Sequence, residues 1–438
     1  MLTPRPAQSV LFLQGPLSDF YSQIAGFLKG EGIHVERINL CGNDRHDWHH
    51  DGASDYSGTP AHWEDYLNAF VNAKSIDTIV LHGDRRFYHR VATKVAKANG
   101  IDVVATELGY LRPDFMTVER GACSACSHFP NDPAQIMEIA RQCPEPRTAL
   151  LYPGSTWPQV FQELKFSFFN KLHTARFPHY KNHRLESRRT VYTGWLTSQL
   201  TAAKRAKAAA AVQATLLEQS APYFLVALQL EGDFQIRDHS PFSGMRDAID
   251  HIARSFARHA PTNARLVLKT HPLEFRRHQL QQSIAEIGKT YQLGERLVLI
   301  DGGDLSLLCQ AAAGFVTVNS SAGLEALKNG SPTHCIMPTI YDVPGLTFQD
   351  SLDAFWTNGT APDAIIYEAF IRALAGTIQV NGTLYNSQGR RQAAFEAAQR
   401  IAQARVNEPG AFVPNPPRIP KAMRNGVTYS LEFEGHSV

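Results

Sequence analysis

The sequence contains few cysteines and no long apolar segment. Six cysteines are scattered over 438 residues, which provides no disulfide framework and is typical of reduced thiols. The apolar run near the N-terminus covers only residues 10–13, too short for the core of a signal peptide, and no later segment approaches the length of a membrane span. We therefore expect a cytoplasmic protein.

An Asp-x-Asp pair is also absent, although metal-dependent transferases that use nucleotide-diphosphate sugars often carry one. Residues 44–51 contain three histidines and three aspartates, but without the spacing of a tetrahedral site. A solvated or substrate-facing loop is the other interpretation of this segment. The pair Cys123-x-x-Cys126 has no second paired motif beside it. We expect no metal, and the missing pair favours a monophosphate-activated donor.

What the chain does contain is the composition of a folded protein, with 43% hydrophobic and 19% charged residues. Short apolar runs alternate with helix-length segments in both halves, which is typical of doubly wound parallel sheets. The candidate strands are residues 9–13, 79–81, 101–105, 223–228, 265–268, 296–300 and 315–318. We predict an α/β protein with two Rossmann-like domains.

The predicted division has three parts. Residues 1–215 form an N-terminal domain that ends in a basic helical bridge, and residues 216–385 form a C-terminal domain. Residues 386–438 hold a helix over 390–405 and a proline-rich tail, which cannot be regular throughout.

Polar side chains follow several candidate strands, and ligands of open parallel sheets bind beyond the carboxyl ends of the strands. The polar segments are residues 82–86, 107–114, 229–237, 269–272 and 319–325. Pro272 suits a first helical position and Ser320 or Ser321 suits an N-cap, so two helix N-termini could hold one phosphate. The serines could equally be simple caps.

Six segments in order resemble the capsule polysaccharide biosynthesis family of retaining β-Kdo transferases. They are residues 83–90, 107–114, 228–237, 269–272, 319–327 and 341–347. The single-module length resembles the KpsS/LipB type within that family. The resemblance implies a GT-B-like pair of domains facing a central cleft. It also implies CMP-Kdo as donor with no further cofactor, and a lysophosphatidylglycerol-type acceptor at the inner face of the cytoplasmic membrane.

The resemblance also assigns residues. Four fall on the motifs that bind CMP: His271, Pro272, Ser320 and Ser321. Asp233 falls on the proposed nucleophile and Glu107 on a second catalytic carboxylate, and retention by two displacements needs such a nucleophile and a separate acid/base. Without the resemblance, Asp233 could cap a turn and Glu107 could pair with an arginine.

Further substrate or acceptor candidates lie in the same segments: Asp84, Arg85, Arg112, Gln229, Glu231 and Arg237. The arginines suit the Kdo carboxylate or an acceptor phosphate, because a planar guanidinium binds either bidentately. Two departures from the family pattern are Gly121-Ala122-Cys123, where Gly-Val-Asn is expected, and Leu108, where longer relatives carry Glu-Asp-Gly. The first departure puts acceptor contacts near residues 121–123 in doubt. If the Asp of the Glu-Asp-Gly pattern matters in the longer relatives, its task must pass to another residue here.

Residues 165–207 contain ten Lys or Arg and one acidic residue, Glu186, with aromatic residues interleaved. A solvated helical face and nucleic-acid binding are alternatives to docking on an anionic membrane. The lipid acceptor favours the membrane, and we expect no nucleic acid partner. The rival functions are a transferase for another CMP-sugar, such as a sialyltransferase, and a non-catalytic capsule assembly or export component. Other capsule assembly proteins are further candidate partners.

Overall fold

The computed structural model describes residues 6–147, 150–152, 156–182 and 188–429, without the side chains of 156–157, 188–193, 195–196 and 234. Part of the basic segment, including Arg184 and Glu186, lies outside the described residues. So do the side chains of Arg188, Tyr192 and Trp195.

The first sheet has seven strands in the order β12-β6-β5-β4-β1-β2-β3. The strands are β1 (Ser9–Phe12), β2 (His34–Asn39), β3 (Ala53–Asp55), β4 (Thr78–His82), β5 (Asp102–Leu108), β6 (Phe115–Arg120) and β12 (Gln379–Asn381). Strands β1 to β5 pair in parallel, and β6 runs antiparallel to both β5 and β12. The helices along this half are α1 (Phe20–Gly30), α2 (Gly42–His46), α3 (Trp63–Ala73), α4 (Phe87–Asn99) and α5 (Pro133–Gln142).

The second sheet has five parallel strands in the order β11-β10-β7-β8-β9. The strands are β7 (Tyr223–Ala227), β8 (Arg265–Lys269), β9 (Leu297–Ile300), β10 (Gly314–Thr317) and β11 (Thr333–Cys335). The helices of this half are α8 (Phe234–Arg237), α9 (Met245–His259), α10 (Arg277–Thr290), α11 (Leu305–Ala311), α12 (Ala322–Lys328), α13 (Leu352–Asn358) and α14 (Ala364–Thr377). Two helices, α6 (Thr156–Leu172) and α7 (Arg188–Glu218), lie between the sheets in sequence, and α15 (Ser387–Ala402) and α16 (Ile419–Arg424) follow.

The apolar runs became strands because helices cover both faces of each parallel sheet. All five residues of β7 are buried. Helix α9 buries residues at three- and four-residue spacing, from Met245 through Ile249 and Ile252 to Phe256, against this sheet. The predicted α/β class with two parallel-sheet domains is confirmed.

The predicted division at residues 385/386 is wrong for the C-terminal segments. Strand β12 is an edge strand of the first sheet, with Gln379 opposite Thr117. Helix α15 then packs on α1, where the rings of Phe27 and Phe395 lie 5.3 Å apart. The chain therefore returns to the first sheet after building the second. The proline-rich tail contains the short helix α16.

The loop over residues 44–51 is a packing element. Asp44 forms a buried ion pair with Arg37 at 3.3 Å, and Asp47 pairs with Lys165 of α6. The ring of His46 stacks on Phe169 with centroids 3.6 Å apart. These contacts attach α6, the start of the predicted helical bridge, to the first sheet.

A single buried arginine joins loops from the two halves. Arg418 is 1% exposed, and its guanidinium donates to the backbone carbonyls of Phe129 (2.6 Å) and Pro130 (3.2 Å) after β6. It also donates to the carbonyls of Thr339 (2.8 Å) and Ile340 (2.6 Å) after β11. One side chain thus satisfies four buried acceptors on the loops after β6 and β11.

Replacing Arg418 by Met should lower the free energy of unfolding by at least about 3 kcal/mol, because four buried carbonyls lose a charged donor. Urea denaturation followed by circular dichroism measures the change. The matched control is Arg424→Met on the same helix, where the side chain is exposed, and its effect should stay within about 0.5 kcal/mol. Equal unfolding midpoints for the two variants would contradict this role.

Candidate active site

A cleft of about 710 Å³ lies where the carboxyl ends of the second sheet face the loop between β5 and β6. The second half contributes residues at the ends of β7, β8 and β10 and from helices α12 and α14, and the first half contributes residues 110–115. The predicted site residues that line it are Arg112, His271, Pro272, Ser320 and Ser321. The rule for ligand sites in parallel sheets holds here.

His271 follows β8 in a turn, where the Glu274 N–H donates to its carbonyl oxygen (2.9 Å). The predicted helix start at Pro272 is wrong, because α10 begins only at Arg277. The Leu273 N–H donates to Nδ1 of His271 (3.1 Å), so the neutral ring carries its proton on Nε2. Burial lowers the pKa of His271, and the charges of Arg112 and Lys269 add to that effect. A neutral Nε2–H donor therefore stands at the cleft.

Ser321 occupies the N-cap position of α12, as predicted, but its hydroxyl caps no backbone N–H. The hydroxyl of Ser320 accepts from the Ala322 N–H (3.2 Å), and the carbonyl of Ser320 accepts from the hydroxyl of Tyr341. Ser320 thus shapes the turn, and Ser321 presents a hydroxyl to the cleft.

The cleft lining is positively charged. Four basic residues line it against two acidic ones: Arg112, Arg147, Lys269 and Lys328 against Asp114 and Glu325. Asp114 accepts the backbone N–H groups of Leu151 and Tyr152. Burial lowers the pKa of Lys269. This lining suits a ligand with more than one negative charge.

Glu107 lies near the end of β5, beside the positive-φ residue Gly83. The positive φ of Gly83 favours glycine, and a Cβ at this position would lie 3.0 Å from Glu107 Oε1, so that the Glu107 side chain would have to shift by a few tenths of an ångström. Burial raises the pKa of Glu107 to about 7, with the charges of Asp84 and Asp233 adding to the rise and Arg86 and Arg112 opposing it. A carboxyl that titrates near neutral pH suits acid/base work.

Asp233 lies on the loop after β7, on the second half of the molecule. Its Oδ1 accepts from the Gln235 N–H (2.9 Å), so it does cap a short helix, α8. Its charge nevertheless raises the pKa of both Glu107 and His271. The structure therefore places Asp233, the predicted nucleophile, within electrostatic range of both Glu107, the predicted base, and His271, a predicted donor-site residue.

A hydrogen-bond chain fixes the Asp233 loop. Gln229 donates to Asn319 Oδ1 (3.0 Å), and Asn319 Nδ2 donates to the Gln235 carbonyl (2.8 Å). The side chain of Gln235 crosses to the first half and donates to Ser124 Oγ (2.7 Å). Ser124 in turn donates its N–H to the hydroxyl of Tyr110 (2.9 Å). Gln229, predicted to contact substrate, is buried and links the segments that follow β7 and β10.

Two of the remaining four candidates, Glu231 and Arg85, lie in structural positions. Glu231 accepts the Met245 N–H at the start of α9 (2.9 Å). Arg85 is buried, with its guanidinium 5.6 Å from the ring centre of Tyr429. Arg237 is exposed at the end of α8. Asp84 is buried close enough to Glu107 to raise its pKa. None of these four is among the residues that line the described cleft.

Sequence reasoning missed Arg86, although it follows Arg85 in a segment singled out for its charge. Arg86 donates to the Gly15 carbonyl (3.3 Å) and lies within electrostatic range of Glu107. It also lines a small cavity of about 100 Å³ on the first half. The sequence identified the segment, but it did not show which of its two arginines lies near Glu107.

The six cysteines are buried and form no disulfide. Ala122 and Cys123, which depart from the family pattern, are also buried. Within the described ranges, no group of three or more His, Cys, Asp or Glu side chains could hold a metal. None of the helices described here has the length and apolarity to span a bilayer.

Two parallel-sheet domains with a positively charged cleft at their carboxyl ends define a GT-B-like α/β protein. The model of the family described as "Capsule polysaccharide biosynthesis protein" matches residues 77–385. The chain belongs to the capsule polysaccharide biosynthesis family.

The chain is similar to the capsule polysaccharide export protein KpsS of Escherichia coli, with 33% identity over 381 residues, 86% of this chain and 96% of that protein. It is 26% identical to the capsule polysaccharide modification protein LipB of Neisseria meningitidis over 87% of this chain and 92% of LipB. Among solved structures, KpsC of Thermosulfurimonas dismutans, a beta Kdo 2,4 transferase, matches 89% of this chain and 99% of its own at 11% identity, with a TM-score of 0.38.

The pKa of Glu107 near 7 is a testable property. A protonated carboxyl band that Glu107→Gln removes should disappear as pH rises through about 7, as measured by infrared difference spectroscopy. Asp233→Asn should move this midpoint to lower pH, because it removes a negative charge that favours the protonated form. Asp238→Asn, on the same loop, is the control and should leave it in place. If the midpoint in Asp233→Asn equals that of the wild type, the charge of Asp233 does not act on Glu107.

Proposed function

We propose that the protein transfers Kdo from CMP-Kdo, with retention, to a lysophosphatidylglycerol-type acceptor at the inner face of the cytoplasmic membrane. This reaction would begin the β-Kdo linker of a capsular polysaccharide. The observation that carries a transferase function is the placement of Asp233 within electrostatic range of both Glu107 and His271. The sugar, the nucleotide and the acceptor come from the family resemblance.

The donor side of the proposal is the positively charged cleft. CMP-Kdo carries a phosphate and a carboxylate, so Arg112 and Lys269 match its charge. The Nε2–H of His271 and the hydroxyl of Ser321 would donate to phosphate oxygens. With these donors, charge on a single leaving phosphate is stabilised by protein groups alone.

The acceptor side would be the first half. Arg86 lies near Glu107 and lines a cavity together with Gln159 and Gln162 of α6. A guanidinium there suits an acceptor phosphate. The acceptor hydroxyl would then lie beside Glu107, the group proposed to remove its proton.

The proposed reaction has two displacements. Asp233 attacks the anomeric carbon through the carboxylate oxygen that the α8 cap does not use, and the bond to CMP breaks with the electron pair leaving on phosphate. Glu107 then takes the proton of the acceptor hydroxyl, whose oxygen attacks the same carbon and releases the Asp233 carboxylate. Two inversions give net retention.

The second candidate function is a non-catalytic capsule assembly or export component, which the similarity to the E. coli capsule polysaccharide export protein KpsS favours. A transferase for another CMP-sugar shares the same donor cleft. The decisive assay incubates the protein with CMP-Kdo, or separately CMP-sialic acid, and lysophosphatidylglycerol. The mass and anomeric configuration of the product distinguish all three, and the absence of any product would reject the transferase.

Replacing Asp233 by Asn should reduce transfer by about a thousandfold or more, because the nucleophile is lost. The asparagine carbonyl can still cap α8, so folding and CMP binding should be kept. Turnover and calorimetric CMP titration measure the two effects. Asp238→Asn should behave as wild type. Turnover of Asp233→Asn within a few-fold of wild type would exclude Asp233 as nucleophile.

Glu107→Gln should also lose transfer, by about a hundredfold or more, since general-base assistance is removed. CMP affinity should be unchanged, because Glu107 does not line the donor cleft. In this variant the sugar should accumulate on Asp233, detectable by mass spectrometry of the denatured protein. Loss of CMP binding instead would place Glu107 at the donor.

A further inference from the structure

Helix α6 turns a polar face toward the protein and exposes an apolar face to solvent. Gln159, Gln162 and Glu163 line the small cavity beside Arg86. Four large apolar side chains on the opposite face are exposed: Phe161 (65%), Leu164 (48%), Phe168 (62%) and Leu172 (61%). Their spacing of three, four and four residues forms one stripe along the helix.

This stripe differs from the docking surface expected from the basic, aromatic segment. Of the aromatic residues in that segment whose side chains the structure describes, Phe166 and Phe177 are buried and Tyr180 is partly buried. Phe169 is covered by His46. Only Phe168 among them is strongly exposed. The exposed aromatic surface described for this segment therefore lies on α6.

Basic residues outnumber acidic residues in α6 and the turn that follows it. Residues 156–182 contain four basic residues and one acidic residue, Glu163, and Glu163 belongs to the cavity side. Lys165 and Arg176 form ion pairs with the first sheet, while Lys171 and Lys181 are exposed. An apolar stripe flanked by cations is the pattern of a helix that lies in the interface of an anionic bilayer.

The size of the stripe favours a bilayer over a second protein. At about 200 Å² per large side chain, the exposed fractions correspond to roughly 470 Å². A stable protein interface buries about 800 Å² on each partner. A bilayer interface requires only that one apolar face enter the boundary between head groups and acyl chains.

We propose that the α6 stripe, Phe161, Leu164, Phe168 and Leu172, inserts into the interface of a membrane that contains anionic lipid. The polar face of the same helix then lies at the Arg86 cavity, so a lipid head group would reach the acceptor side from the docked surface. This second step rests on the proposed function. Docking itself does not.

Vesicle co-sedimentation of the full chain tests the surface. The protein should bind vesicles of phosphatidylcholine with about one-third phosphatidylglycerol, and phosphatidylcholine alone at least about tenfold more weakly. Phe161→Gln with Phe168→Gln should weaken binding to the mixed vesicles at least about tenfold. The control is Ile365→Gln on α14, which removes a side chain that is 72% exposed elsewhere, and it should bind as wild type.

Unchanged vesicle binding by the double variant would overturn the assignment. So would a wild-type dimer that the double variant converts to a monomer in analytical ultracentrifugation, because the stripe would then be a contact between copies. CMP affinity should be equal in all variants, which controls for folding. Loss of vesicle binding by the double variant, with no sugar transfer by the wild type, would keep this surface and reject the proposed function.

Discussion

The buried guanidinium of Arg418 links three segments that lie far apart in the sequence: the loop after β6, the loop after β11 and the C-terminal tail. Its donors bind carbonyls on loops that follow β6 in the first sheet and β11 in the second. An arginine buried without a direct carboxylate partner is costly unless its N–H groups are used, and here four bonds use them. The side chain is therefore stable only when both loops are in place, which couples the geometry of the cleft to the tail that carries Arg418.

Exchange of chain segments reinforces this coupling. Three residues that follow β6 pack in the core of the second half beside Ile236 and Ile419: Ala122, Ala125 and Cys126. Strand β12 and helix α15, which follow the second sheet, pack in the first half. Each half thus contains part of the other's sequence, and the Gln235–Ser124 bond crosses between the same regions. These contacts keep Asp233 within electrostatic range of Glu107, where its charge adds to the rise in the Glu107 pKa that burial and Asp84 produce.

Sequence patterns predicted the parts that local rules govern. Strands buried on both faces, such as β7 and β8, have a continuous apolar run, and β10 was found for the same reason. Strands β2, β3, β6, β11 and β12 were not found, because β2 and β6 contain charged residues and the other three are only three residues long. The return of the chain to the first sheet was missed because no local signal marks a long-range pairing such as Gln379 with Thr117.

The same limit applies to the site: local motifs could be predicted from the sequence, and contacts between distant residues could not. Motif and strand position led to His271, Ser321 and Arg112, which line the cleft. Glu231 and Gln229 share the motif of Asp233, yet one caps α9 and the other pairs with Asn319. All three are polar residues of one short segment, and only the direction of each side chain in the fold shows which of them has a structural role.

Helix α6 shows why such directions matter for function. Amphipathic helices of folded proteins usually turn their apolar face inward, and α6 reverses this over Phe161, Leu164, Phe168 and Leu172. The helix remains attached because its polar positions have partners in the first half, including Lys165 with Asp47 and Asn170 with the Asn43 N–H. An apolar stripe in water has an unfavourable free energy of about 25 cal/mol per Å². The ion pair and the hydrogen bond thus fix the helix with its apolar stripe exposed. Insertion of the stripe into a membrane would require this orientation.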